Sequence, residues 1–253
     1  MTSPIESGSV NTTIADGIAS LSFFHPKGNS LPGTLLSRLA EEVTALGKHP
    51  DVLVIVLRSD GNGPFCAGAS FQELQAISTI AQGKQFFSGF AKLIIAMTRC
   101  PKFIIARVHG KAVGGGVGVC AAADYAYAVP QASVKLSELA VGIGPFVVGP
   151  VIERKVGLAA FSSLAVNATE WRSAEWAQVH GLFAELRESV EELDEAVAEL
   201  AGRLADSNPD AMARMKHIFW AGTEHWDTLL AERAEMSGTL VLSEFARKAI
   251  AGK

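Results

Sequence analysis

Residues 107–124, Arg-Val-His-Gly-Lys-Ala-Val-Gly-Gly-Gly-Val-Gly-Val-Cys-Ala-Ala-Ala-Asp, place three adjacent glycines where an apolar, strand-like run passes into a helix. A residue without Cβ lets the main chain approach a ligand closely. The first N–H groups of a helix lack an internal partner and sit at the positive end of its dipole. Gly114, Gly115 and Gly116 therefore read as a backbone site for an anion or a developing oxyanion.

The flanking pattern gives that site a frame. Gly17 to Phe24 reads as a strand after a turn, and Leu35, Leu36, Leu39, Val43 and Leu46 recur at helical spacing. Asp51 to Leu57 and Phe103 to Val108 are continuous apolar runs, as expected of strands covered on both faces. Between them, the turn-rich Ser59 to Pro64 leads to Phe65-Cys66-Ala67-Gly68-Ala69-Ser70, and Phe71 to Thr98 reads as mostly helical. Strands alternating with helices, and loops at strand ends, predict a layered α/β architecture. Trp171 to His180 reads as helix, as does the stripe Leu193, Ala196, Val197, Leu200 and Leu204. Asn208 before Pro209 predicts a helix start, and the apolar tail to Ile250 is helical in pattern. The division expected is an α/β core over 1–190 and a helical region over 191–253.

Composition narrows the function classes. A chain of 253 residues that is 49% hydrophobic and 19% charged has material for one large core. A net charge of -4, with no lysine and arginine cluster, argues against nucleic acid as a partner. The N-terminal segment Met1 to Val10 lacks the basic start and apolar run of a signal peptide, and charges interrupt the apolar stretches, so a cytoplasmic, non-membrane enzyme is expected. Cys66, Cys100 and Cys120 are too few and scattered for a disulfide framework. The six histidines show no metal spacing, the chain has no Gly-x-Ser-x-Gly elbow, and the glycines fit neither a dinucleotide nor a P-loop pattern.

Three segments together carry a resemblance. Phe65-Cys66-Ala67-Gly68-Ala69, the stretch Lys102 to Asp124, and Ser137-Glu138 followed by Gly142-Ile143-Gly144-Pro145 are similar in order and spacing to the enoyl-CoA hydratase/isomerase (crotonase) superfamily. The resemblance implies a crotonase-like spiral of ββα units with a C-terminal helical region used in trimer assembly, as a homotrimer or a dimer of trimers. It also implies an acyl-CoA thioester substrate, with coenzyme A as part of that substrate, and no separate cofactor or metal.

By family position, the backbone N–H groups of Ala67 and Gly115 are the oxyanion donors, and Glu138 is the general acid/base. Lys27, in Pro26-Lys27-Gly28-Asn29, matches a segment along the pantetheine and phosphate path. Cys66, Gly68, Ser70, Gly114, Gly118 and Phe146 complete the expected substrate and CoA contacts. Two departures stand out. Gly118 replaces the second glutamate that family hydratases use to activate water, and Ser70 replaces an aspartate. One carboxylate suits a 1,3 proton shuttle that converts a 3-enoyl-CoA into a 2-enoyl-CoA, and Phe146 is expected to make the pocket wall apolar. Hydration of a 2-enoyl-CoA stays open if Ser137, Ser70 or His109 orients water, as does a non-catalytic acyl-CoA-binding role.

Overall fold

The computed structural model describes residues 8–252; residues 1–7, the start of the segment read above for a targeting signal, lie outside the described residues. The chain opens on strand β1 (Ser9–Ala15) and β2 (Ile18–Phe24), and continues through helix α1 (Gly33–Lys48), β3 (Val54–Ser59), α2 (Phe71–Ala76) and α3 (Ile80–Arg99). Next come β4 (Phe103–Val108), β5 (Ala112–Val113), α4 (Gly115–Ala122), β6 (Tyr125–Ala128), β7 (Ser133–Lys135), a 3-10 turn (Leu139–Val141) and α5 (Gly149–Val166). The remainder is β8 (Arg172–Ser173), α6 (Ala174–Val179), β9 (Glu185–Leu186), then α7 (Val190–Ala205), α8 (Pro209–Phe219), α9 (Trp226–Leu240) and α10 (Glu244–Ala251).

The main sheet runs β1-β2-β3-β4-β6-β9, parallel from β2 onward; a second, three-stranded sheet runs β5-β7-β8. β1 was not expected. Asp16 and Gly17 both have positive φ, 50° and 78°, and Ala15 pairs with Ile18, so the dipeptide makes the tight turn that suits a twisted hairpin. The strand before it is a polar edge, Ser-Val-Asn-Thr-Thr-Ile-Ala, with no apolar run to announce it. β3 begins at Val54, not at Asp51, because Leu53 N–H still donates to Gly17 at 2.7 Å in the connecting turn.

The stretch 71–98, expected to be mostly helical, is two helices separated at residues 77–79. Thr79 accepts from Gln82 N–H, while the Gln82 side chain accepts from Thr79 N–H, a reciprocal cap that starts α3 afresh. The five leucine and valine positions noted for α1 are all buried, as is Leu193 with Ala196 and Val197 on α7.

The C-terminal helices are bound tightly to the core. Lys216 of α8, 1% exposed, donates to Asp124 Oδ2 and to the Lys102 carbonyl, both at 2.7 Å, and Trp220 Nε1 reaches Asp124 Oδ1 at 3.1 Å. Such a buried charge is tolerable only because each polar atom is paired. Arg107, also buried, makes a two-point contact with Asp194 of α7 at 2.6 and 2.9 Å. α9 crosses α3 where Gly83 meets Gly238, and a Cβ on Gly83 would fall 2.6 Å from Gly238 Cα. α10 packs on the 3-10 turn through Val141, Ile143, Ala246 and Ile250. No helix among the described residues is long and apolar enough to cross a membrane.

Candidate active site

The loops leaving the carboxyl ends of neighbouring strands β3 and β4 converge, which is where parallel sheets gather ligands. Cys66 bridges Ala112: its N–H donates to the Lys111 carbonyl at 3.1 Å, and its carbonyl accepts from Val113 at 2.9 Å. That ladder holds the turn at Ala67 and Gly68 against the start of α4.

Gly114 takes φ 54° and ψ -116°, a conformation that L side chains avoid, and its N–H is tied to the Lys135 carbonyl at 2.9 Å. The chain then enters α4 at Gly115, whose N–H belongs to the first turn and has no acceptor within the helix. Gly116 packs onto Cys66, and a Cβ there would sit 2.7 Å from the Cys66 carbonyl oxygen. A Cβ on Gly68 would stand 2.9 Å from the Val113 oxygen and 3.7 Å from Gly115 N, so the two glycine turns face each other closely. Ala67 N–H is not free: it donates to the Gly28 carbonyl at 3.1 Å.

Glu138 enters from the other side. Its carbonyl accepts from Val141 and Ile143 at 3.1 and 3.0 Å, fixing the turn that presents the side chain. The carboxyl lies along Gly114, where an added Cβ would be only 3.0 Å from Oε1, so glycine at 114 also makes room for the acid. Oε2 is buried with no hydrogen-bond partner among the described residues. Burial raises its pKa to about 7, partly opposed by a backbone hydrogen bond. A carboxyl that titrates near neutrality takes and returns protons with comparable ease.

Ala67, Gly68, Gly114, Gly115, Glu138 and Phe146 line one cavity of about 230 Å³. Its wall is strongly aromatic, with Phe71 of α2 and Phe86, Phe87 and Phe90 of α3 joining Phe146. The α3 residues went unnoticed as site residues because Phe-Phe-x-x-Phe within a helical run is an ordinary core pattern. Ser237 of α9 carries no sequence signal either; it lines the cavity, as does Val148 in the bulky turn after Glu138.

Four expected residues stand outside that lining. Lys27 is exposed, with Nζ on Gln72 Oε1 at 2.7 Å, although its neighbour Gly28 is the residue that holds Ala67. Cys66 is buried beneath the turn, and burial pushes its thiol up to about 12, so it remains a packed thiol at neutral pH. Ser70 caps α2 by accepting from Glu73 N–H at 3.3 Å. Gly118 lies behind the wall: a Cβ on it would meet Val148 at 2.7 and 2.9 Å and Ile94 at 3.6 Å.

Of the groups considered for orienting water, only Ser137 lines the cavity; His109 does not. Burial, with Arg107 and Arg58 nearby, pushes the His109 pKa down. Among the described residues no group of three or more His, Cys, Asp or Glu side chains is placed to hold a metal ion.

Helix-start N–H donors beside a buried carboxyl that titrates near neutrality equip an α/β enzyme for acid–base chemistry next to a carbonyl. The chain belongs to the enoyl-CoA hydratase/isomerase family, whose sequence pattern matches residues 13–249. The peroxisomal Delta(3,5)-Delta(2,4)-dienoyl-CoA isomerase of Arabidopsis thaliana is 29% identical over 211 residues, covering 78% of this chain and 74% of that protein. The (7aS)-7a-methyl-1,5-dioxo-2,3,5,6,7,7a-hexahydro-1H-indene-carboxyl-CoA hydrolase of Rhodococcus jostii is 33% identical over 132 residues, about half of each chain (52% and 51%). Among solved structures, the enoyl-CoA hydratase of Bacillus halodurans superposes with a TM-score of 0.89 at 21% identity, covering 96% of this chain and 99% of that one. The crotonase fold expected from the sequence is therefore the fold observed.

Proposed function

We propose that this enzyme isomerises a 3-enoyl-CoA to a 2-enoyl-CoA with Glu138 as its single proton carrier. The Glu138 carboxylate removes a proton from C2, and the electron pair moves onto the thioester oxygen. The resulting dienolate oxygen is held by Gly115 N–H at the start of α4, where the helix dipole adds to the hydrogen bond. The double bond shifts as the Glu138 carboxylic acid returns the proton to C4.

Ala67 N–H is the second donor. In the free enzyme the Gly28 carbonyl occupies it, so the Lys27–Gly28 loop yields or shares that bond when the thioester oxygen arrives. One such donor is worth about 3 kcal/mol of transition-state stabilisation. Lys27, on the same loop, meets the CoA phosphates.

The observation that carries the reading is Val148 packed over Gly118. The space into which a side chain at 118 would project is filled with hydrocarbon, so the cavity offers no second acid to activate water. A hydratase is the second reading, favoured by Ser137, which lines the cavity next to Glu138 and would orient a water. The enzyme assembles as a trimer or a dimer of trimers, in keeping with exposed apolar side chains such as Leu158, Val166 and Phe245.

The test is to incubate the enzyme separately with 3-enoyl-CoA and 2-enoyl-CoA esters, beside Glu138→Gln. The expected result is isomerisation of the 3-enoyl esters, reduced about 10³-fold in the variant. Fast hydration of 2-enoyl esters without isomerisation would establish the second reading instead. Tight acyl-CoA binding without turnover would leave a binding protein.

A further inference from the structure

The wall of the cavity is hydrocarbon apart from three side chains, Ser137, Glu138 and Ser237. Ser137 and Glu138 belong to the reacting end. Ser237 comes from a different part of the chain, the buried face of α9, which otherwise presents Trp226, Leu230, Ala234 and Gly238.

Ser237 is 1% exposed and lines the cavity; no side-chain hydrogen bond of its hydroxyl occurs among the described residues, yet it is not one of the fully enclosed unpartnered atoms, so what accessibility it keeps is toward the cavity. Hydroxyls elsewhere on these two crossing helices behave differently. Ser88 Oγ of α3 donates to the Lys84 carbonyl at 2.6 Å, and Thr239 Oγ1 of α9 donates to the Glu235 carbonyl at 3.0 Å. Folding back onto the preceding turn is the usual resort of a helical serine or threonine with no other acceptor. Ser237 lines the cavity instead.

Packing explains its size but not its oxygen. Gly83 and Gly238 bring α3 and α9 so close that the adjoining residue must be small, and alanine would meet that demand with no hydroxyl to desolvate. A buried hydroxyl in an apolar pocket is stabilised only when something entering the pocket pairs with it.

We propose that Ser237 is a substrate-recognition group, and that the acyl moiety accepted here carries a ketone or hydroxyl oxygen that hydrogen-bonds to Ser237 Oγ. The proposal rests on the reading that this cavity takes the acyl group. The pocket then takes a compact hydrocarbon skeleton with one oxygen beyond the thioester. A plain alkyl chain would leave the serine unpaired, and sites built around such a hydroxyl discriminate against analogues that lack the matching group.

Binding tests this independently of turnover. Dissociation constants are measured by calorimetry for hexanoyl-CoA and its 4-oxo, 5-oxo and 5-hydroxy counterparts, with the wild type and Ser237→Ala. The expected result is that the best oxygenated ester binds the wild type about tenfold tighter than hexanoyl-CoA, a margin that falls to about unity in Ser237→Ala. Melting curves check that the variant is folded. Equal affinities in the wild type, or a preference that survives in Ser237→Ala, would overturn the assignment. Failure of the isomerase reading is seen separately, as absent turnover of 3-enoyl esters while these constants remain measurable; if none of the esters binds, both readings fall.

Discussion

The oxyanion strip and the acyl wall meet at one cavity but are built from different materials. The strip, residues 66–68 against 113–116, is backbone: a bridge at Cys66, a positive φ at Gly114 and, at Gly115, an N–H with no acceptor within its helix. The wall is side chains from four separate parts of the chain: α2, α3, the segment from Val141 to Val148 that follows Glu138, and α9. The strip meets a demand common to any thioester reaction that places negative charge on oxygen. In the proposed function the wall selects the acyl group and decides whether water comes with it. On the proposed reading, reaction type is set more by Val148 and its neighbours than by the glycines.

The sharpest way to break that contrast is to give the wall the acid it lacks. Gly118→Glu alone forces a carboxylate into Val148 and Ile94, and is expected to destabilise the fold by about 3 kcal/mol without producing hydration, measured by denaturant melts and 2-enoyl-CoA assays. Gly118→Glu combined with Val148→Gly removes the obstruction, and is expected to regain stability and add hydratase activity. If the single variant hydrates as fast as the double, Val148 does not guard that space.

A smaller and subtler effect concerns Glu138 itself. Its pKa is raised from 4.5 to about 7, so the folded protein holds this proton more tightly than the unfolded chain does. The sign follows: stability from this group is full below about pH 4.5, declines as pH rises, and is gone above pH 7. Across that window the ionisation costs about 3 kcal/mol. Glu138→Gln is expected to lose this dependence, so its stability relative to the wild type increases from pH 4 to pH 8 in urea melts. Parallel pH curves for the two proteins would show that the carboxyl is not held in a buried, strained state.

What could be read from the sequence follows the same division. Gly114, Gly115, Ala67 and Glu138 stand in short contiguous motifs, and the structure brings them to one cavity. Ser70 and Lys27 lie near those motifs, but cap a helix and extend into solvent, because adjacency in sequence does not fix where a side chain points. The engagement of Ala67 N–H by Gly28 is a tertiary contact across 39 positions, with no local signature. Val148, Phe90 and Ser237 look like any core residue of an apolar helix or turn. Only the folded chain reveals that they face a cavity, and only Gly118's missing Cβ reveals what Val148 displaces. In the fold, β1 escaped notice because an edge strand needs no apolar run, and the break before α3 depended on a reciprocal Thr79–Gln82 cap.

The central claim is that one buried carboxyl moves a proton while the wall keeps water out. The most direct measurement is turnover of a 3-enoyl-CoA in water enriched in ¹⁸O, with products resolved by mass spectrometry. The expected product is a 2-enoyl-CoA carrying no ¹⁸O, formed by the wild type and lost in Glu138→Gln. Accumulation of ¹⁸O-labelled 3-hydroxyacyl-CoA at the rate of substrate loss would contradict it.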